Sequence, residues 1–207
     1  YKYPKAGEKN SKVSVHVYDV NDRTTLKMDT GEEEDIYLPR IRWTKDPKKL
    51  AIIRLNRHQN KMEVLLANVK VGTVTPLYRE ENKYYIDEAN LDNLIFLDNG
   101  TQFVISSEKS GYLHLYLYDM NGKEKQELTK GNYDIIDFYG YDPVRKLFYY
   151  SSYEESPVEK YVYSINTKGQ KKKLTPTKGW NEASFSNTFN YYINVASNTE
   201  MPPVTTL

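Results

Sequence analysis

Three histidines, His16, His58 and His114, are the only imidazoles in a chain of 207 residues. Each falls in a different part of the chain, and none belongs to an H-x-x-x-H or comparable ligand pattern, so no metal site is expected. His114 alternates within a strand-like run, which points to packing or hydrogen bonding. Serines are plentiful, yet no G-x-S-x-G elbow occurs; Ala183-Ser184-Phe185-Ser186 lacks both glycines. A nucleophilic serine also needs a histidine and an acid held beside it, and the spacing supplies neither. No catalytic residue is assigned. Cysteine is absent, which excludes disulfides, thiolate catalysis and cysteine-ligated zinc. Phosphate-binding glycine loops and EF-hand spacing are missing too, so no cofactor is expected.

Carboxylates cluster at Glu32-Glu33-Glu34-Asp35, Glu80-Glu81, Asp87-Glu88 and Glu154-Glu155. Such groups could hold a substrate amine or a metal, but in turn-rich loops simple solvation is the expected state. Lys171-Lys172-Lys173 reads as a guard on an exposed sheet edge. Twenty-nine basic residues nearly cancel twenty-eight acidic ones, for a formal charge of +1. That balance gives no electrostatic case for nucleic acid or an anionic membrane as a partner. No apolar run approaches the roughly 18 residues of a membrane-spanning helix, and no export signal opens the chain. The first residue is tyrosine, so the chain is expected to be a processed or excised piece.

The elements that would carry these residues are strands. Twenty tyrosines against six phenylalanines suit half-covered sheets, where a ring packs and a hydroxyl reaches water. The stretch from Leu94 to Gly131 holds four β-type runs, Leu94–Leu97, Gln102–Ser107, Tyr112–Asp119 and Glu124–Leu128. Asp98-Asn99-Gly100, Lys109-Ser110-Gly111 and Asn121-Gly122 divide them as hairpin turns. Leu113, Leu115 and Leu117 alternate with Tyr112, His114, Tyr116 and Tyr118, giving a packable residue on each face. A strand covered on both sides belongs in a sheet stacked between others, the unit of a β-propeller.

The unit repeats. Outer turns carry Gly72, Gly122 and Gly169, and two of them precede the pairs Leu128-Thr129 and Leu174-Thr175. The interval is close to the roughly 40–50 residues of a four-stranded blade. Residues 1–10 read as an extended opening segment, followed by strands at Lys12–Asp19 and Arg23–Met28 and a short run at Ile36–Leu38 ended by Pro39. The first complete blade takes Arg40–Trp43, Leu50–Asn56, Met62–Asn68 and Thr73–Tyr78. A polar passage over Arg79–Asn93 leads to the second blade. The third uses Ile135–Tyr139, Lys146–Ser151, Lys160–Ile165 and Gln170–Leu174. Glu182–Phe185, Tyr191–Ala196 and Val204–Leu207 form an unfinished last piece. The expected class is all-β: one partial β-propeller domain over 1–207, with part-blade 1–39, blades 40–80, 94–131 and 135–176, and part-blade 182–207. Its end blades would expose flat faces, through which two copies could pair as a homodimer.

Several of these segments together resemble one family. Tyr3-Pro4-Lys5-Ala6-Gly7 with Asn10, Trp43, Asn56-Arg57-His58-Gln59, Ser107-Glu108-Lys109-Ser110-Gly111-Tyr112-Leu113-His114 and Leu128-Thr129-Lys130-Gly131 are similar, in this order, to the N-terminal propeller of the dipeptidyl peptidase IV family. Phe185-Ser186, Tyr191-Tyr192-Ile193-Asn194 and Pro202-Pro203-Val204 extend the resemblance to the end. It implies roughly half of an eight-bladed propeller, covering a C-terminal α/β-hydrolase domain whose triad lies outside this chain. It further implies a secreted or periplasmic serine exopeptidase releasing N-terminal dipeptides, with proline or alanine second, from peptides with a free N-terminus. The family's amine-binding glutamate pair lies before the YPKAG-like segment, so that role does not pass to Glu33-Glu34 or Glu80-Glu81. What remains is the passage Tyr84–Asn90, where the resemblance makes Tyr84, Tyr85, Asp87 and Glu88 the candidate substrate contacts. The alternative is a non-enzymatic propeller that binds proteins or peptides, since fold alone does not fix function.

Overall fold

The computed structural model describes residue 5 and residues 7–207, so most of the YPKAG-like segment lies outside the described residues. Where the opening segment is described it turns rather than extends: Glu8 N–H donates to the Lys5 carbonyl at 3.0 Å. Seventeen strands and one short 3₁₀ helix follow among the described residues, and no cis peptide bond occurs there. All strand ladders are antiparallel, and each sheet is a simple meander in chain order.

The chain divides into two compact units. The first, residues 1–92 with 120–122, contains a hairpin and one full blade. The hairpin is β1 (His16–Asp19) with β2 (Thr24–Lys27). The blade is β3 (Ile36–Trp43), β4 (Lys49–Asn56), β5 (Lys61–Asn68) and β6 (Val74–Glu81). Sequence separates Ile36–Leu38 from Arg40–Trp43 at Pro39, whereas the structure runs them together. The ladder shifts register between Tyr37 and Arg40, and β3 is an edge strand. Proline lacks an N–H and is tolerated where no ladder donor is needed. Met28, Leu50, Ile52, Leu65 and Ala67 form one buried core cluster, against which Val17 and Leu26 of the hairpin and the preceding Val15 pack.

The second unit, residues 93–119 and 123–207, holds two further blades and a three-stranded sheet. One blade is β7 (Ile95–Phe96), β8 (Gln102–Ser107), β9 (His114–Asp119) and β10 (Glu124–Glu127). The next is β11 (Ile135–Asp142), β12 (Leu147–Ser152), β13 (Tyr161–Asn166) and β14 (Lys171–Lys173). The last sheet is β15 (Trp180–Phe185), β16 (Tyr192–Asn198) and β17 (Met201–Thr206). Tyr112 and Leu113 fall short of β9 because Leu113 N–H donates to the Asp134 carboxylate at 2.6 Å instead of to a ladder partner. Leu115, Leu117, Val104 and Leu128 from one blade share a core cluster with Ile135, Phe148, Tyr150, Tyr161 and Tyr163 from the next. Phe185 packs on Tyr139, Tyr149, Phe189 and Tyr192, joining the last sheet to its neighbour through rings 4.9–5.5 Å apart.

The repeats that marked the blades have local physical causes. Gly72, Gly122 and Gly169 all hold φ between 76° and 80°, a left-handed conformation that glycine adopts without Cβ strain. The preceding Asn68 and Asn166 close the same turns, their side chains accepting from the N–H groups of Lys70 and Lys168 at 3.0 and 2.9 Å. The leucine-threonine pairs are equally regular. Leu128 and Leu174 each donate a backbone bond of 2.8 Å to the strand inside them, at Leu115 and Val162. One step on, buried Thr129 Oγ1 accepts from Leu115 N–H and buried Thr175 Oγ1 from Val162 N–H, both at 3.0 Å. A side-chain oxygen thus replaces the ladder acceptor where the outer strand leaves the sheet. Thr129→Val and Thr175→Val keep the shape but orphan a buried amide, and each is expected to cost about 2 kcal/mol in urea unfolding. A loss under about 0.5 kcal/mol, the scale of a neutral surface change, would show that the hydroxyl is dispensable.

Candidate functional site

The passage leaving β6 is built upon the turn that Asn56-Arg57-His58-Gln59 makes. Asn56 Oδ1 accepts from the N–H groups of Asn60 and Lys61, at 3.1 and 3.0 Å, which closes the turn between β4 and β5. Gln59 takes a left-handed φ of 52°. Its carbonyl then accepts from Ile86 N–H at 2.8 Å, while Asn60 accepts from Asn82 N–H at 2.9 Å. Ile86 and Leu91 are buried and pin the passage from below. Between these anchors Tyr84 and Tyr85 stand out, 76% and 48% exposed, with the Lys83 ammonium 4.9 Å from the Tyr84 ring centre.

The two acids behave differently from the tyrosines. Asp87 Oδ1 accepts from Ala89 N–H at 2.9 Å and so caps the 3₁₀ helix Glu88–Asn93. Glu88 is paired with Arg40, Oε1 to Nη1 at 3.1 Å. The same guanidinium donates from Nε and Nη2 to the two oxygens of Asp92, at 2.9 and 3.1 Å, and from Nη1 to the Pro39 carbonyl at 3.0 Å. Arg42 Nη2 adds bonds to Asp92 Oδ1 and to its carbonyl, at 3.0 and 3.1 Å. The Arg40 hydrogen bond, with the charges of Arg40 and Arg42, holds the Asp92 carboxyl below its ordinary range. Asp92 in turn raises the Arg40 guanidinium. All four predicted contact residues therefore lie on one passage, but the tyrosines are open and the acids are engaged.

Elsewhere several members of the acidic clusters carry a partner, Glu34 and Glu81 while remaining largely open to solvent. Glu34 pairs with Lys12 at 2.5 Å and Glu81 with Lys61 at 3.3 Å. Glu80 accepts from the Tyr78 hydroxyl at 2.6 Å. Lys171 pairs with Glu154, and Lys173 with Glu155 at 2.8 Å, so the lysine run on β14 does more than guard an edge. Both ammonium groups lie over rings of the adjacent strand, Lys173 at 3.3 Å from the Tyr161 centre and Lys171 at 5.3 Å from that of Tyr163. Burial, then the bond to Glu159, pushes the Tyr161 phenol up to about 12. His114 is buried, with Nε2 at 3.0 Å from the Gly131 carbonyl and Nδ1 at 3.1 Å from Thr129 Oγ1, the hydrogen-bonding role read from sequence. Among the described residues no group of three or more His, Cys, Asp or Glu could hold a metal ion. No helix there is long and apolar enough to cross a membrane.

Two arrangements escaped the sequence reading. Arg40 and Arg42, two apart on β3, carry the strand-face signal of a paired function, but Asp92 lies 52 residues from Arg40 and nothing local announces it. Lys160, only 2% exposed, bonds Asp137 Oδ2 at 2.9 Å and Glu182 Oε1 at 2.8 Å. Trp180 covers it, ring centre 5.1 Å away, and its indole N–H donates to Glu182 at 2.6 Å. A lysine opening a strand gives no sign of burial until its neighbouring strands are in place.

Comparison with known proteins agrees with this architecture. A family profile described as "Dipeptidyl peptidase IV (DPP IV) N-terminal region" matches residues 1–203. A probable dipeptidyl peptidase 4 of Emericella nidulans is 24% identical over 221 residues, covering 97% of this chain and 28% of that protein. The dipeptidyl peptidase 4 of Arthroderma otae is 28% identical over 207 residues, covering 93% and 26%. The crystal structure of Porphyromonas gingivalis dipeptidyl peptidase 4 superposes with a TM-score of 0.92 at 41% identity, over 99% of this chain and 29% of that one. A putative dipeptidyl aminopeptidase IV of Bacteroides ovatus gives 0.84 at 27% identity, over 99% and 32%. The chain thus spans less than a third of the length of each of these relatives. On a match that runs from residue 1 to residue 203, this chain belongs to the dipeptidyl peptidase IV N-terminal region family.

Proposed function

We propose that this chain is the propeller portion of a serine peptidase that releases N-terminal dipeptides, with proline or alanine second, from peptides with a free N-terminus. Bond cleavage falls to an α/β-hydrolase domain elsewhere in the same longer protein, while this region walls and gates the substrate cavity. The observation that carries the reading is the family match along nearly the whole chain, shared with two solved peptidase structures. Two buried polar residues agree with it: His114 and Lys160 are occupied in structural bonds, as expected of a wall. Enclosure lets only extended peptide ends in and holds them oriented toward the nucleophile, an entropic contribution to rate. In this scheme Tyr84 and Tyr85 contact substrate directly, and Asp87 and Glu88 shape the passage that carries them.

The test uses the complete gene product and an Ala-Pro chromogenic amide. Dipeptide release that a serine-directed fluorophosphonate abolishes is the expected result, and the 207-residue chain alone should show none. A complete product that binds peptides yet never cleaves them would overturn the peptidase reading in favour of a binding propeller. Within the active protein, Tyr84→Ala/Tyr85→Ala should raise KM about tenfold with little change in kcat, the signature of binding lost equally in the ground state and the transition state.

A further inference from the structure

We propose that Arg40 is a positioning residue for the Tyr84–Asp87 passage, an inference that rests on reading that passage as part of the substrate cavity. Up to Ile86 the passage is held by backbone bonds to Gln59 and Asn60. Beyond it β3 supplies polar ties to the blade: Arg40 reaches Glu88 at the start of the 3₁₀ helix and Asp92 near its end, and Arg42 reaches Asp92. One guanidinium therefore fixes both ends of a six-residue turn. Its geometry is demanding. Nε and Nη2 grip the two Asp92 oxygens as a fork, and Nη1 is left to serve Glu88 and the Pro39 carbonyl. A lysine carries the charge but not the planar fork, so it cannot grip both Asp92 oxygens in parallel while also serving Glu88 and the Pro39 carbonyl.

The exposure of the cluster argues for position over stability. The Arg40, Glu88 and Asp92 side chains are 32%, 52% and 51% exposed. Ion pairs so open to water contribute little to folding. Where they stand matters more: directly after the two open tyrosines, on a passage otherwise held by the backbone bonds of Asn82 and Ile86 and by buried Ile86 and Leu91. Holding Glu88 and Asp92 also removes two carboxylates as competitors for a substrate amine, leaving the rings as the open groups of the passage.

The experiment is made in the complete gene product. Arg40→Met is expected to raise KM for the Ala-Pro amide about fivefold with kcat within about twofold, and to speed tryptic cleavage after Lys83 about tenfold. The melting temperature should move by less than about 3 °C. Arg40→Lys should recover part of both effects. Unchanged KM and unchanged cleavage in Arg40→Met would overturn the proposal, provided Tyr84→Ala/Tyr85→Ala does raise KM. Raised KM without faster cleavage would also overturn it, because Arg40 would then act without holding the passage. If the tyrosine variant leaves KM unchanged while Arg40→Met still exposes Lys83, the positioning stands and the cavity reading fails.

Discussion

Converting both Asp137 and Glu182 to amides is expected to destabilise the second unit by about 3–5 kcal/mol, the cost of leaving a buried ammonium without a counter-charge. Lys160 has little alternative to these partners: its side chain is 3% exposed, and the Trp180 ring covers it. Lys160→Met should cost far less, about 1 kcal/mol. Asp137 and Glu182 are 40% and 53% exposed and can turn to water, while the methionine fills the space of the lysine stem. The asymmetry between the two changes is the content of the prediction. Equal losses would mean that packing, not charge, holds the site. Trp180 fluorescence during urea unfolding, in a Trp43→Phe background that removes the other tryptophan, reads the event locally.

The same cluster sets an acid limb. Burial works to raise the Asp137 carboxyl, but the bonds from Lys160 and Ser151 outweigh it and leave it below its ordinary value. A group whose folded value is depressed contributes stability above its unfolded value and loses it as pH falls through the folded one. The contribution should therefore be complete above about pH 4 and fade below it. Asp137→Asn should flatten that part of the stability profile, whereas an unchanged acid limb would assign it to other carboxylates.

Much of the fold was legible because the blade advertises itself locally. Strand alternation, positive-φ glycines in outer turns and the leucine-threonine pairs are each decided within a few residues, and each has a bond behind it. Pro39 misled for the same reason: locally it ends a strand, and only its place on an edge strand with a shifted register permits β3 to continue. The candidate site was legible in part. Tyr84–Glu88 stood out through resemblance, but which of its groups are free depends on Arg40, Arg42 and Asp92, brought together only when β3 and the passage are both in place. Lys160 was illegible for the same physical cause. Its partners sit on β11, two strands across the same sheet, and on β15 of the next sheet, 23 and 22 residues distant in sequence.

His114→Ala should destabilise the second unit by about 3–4 kcal/mol, combining a cavity with lost hydrogen bonds. The ring lies edge-on to Tyr133, centres 5.3 Å apart, and is 1% exposed. Its Nε2 must donate, since the Gly131 carbonyl can only accept, and its Nδ1 meets the same Thr129 hydroxyl that accepts from Leu115 N–H. The imidazole thus bridges the turn after β10 to the start of β9, where the blade's outer strand peels away. His114→Phe separates the two contributions. It keeps a ring against Tyr133 but strands the Gly131 carbonyl, so about 2 kcal/mol should remain lost if the bonds matter. His114 and Thr129 share a bond, so the loss in His114→Phe/Thr129→Val should fall short of the sum of the single losses by about 0.5–1 kcal/mol. Full additivity would mean the two side chains act independently, and a phenylalanine variant as stable as the parent would reduce the histidine to a space-filler. The wider consequence concerns the repeat. The third blade keeps the threonine at Thr175 but places Val162 where Leu115 stands and has Tyr161 at the place of His114, so hydroxyl capping is the shared device and the imidazole bridge is particular to one blade.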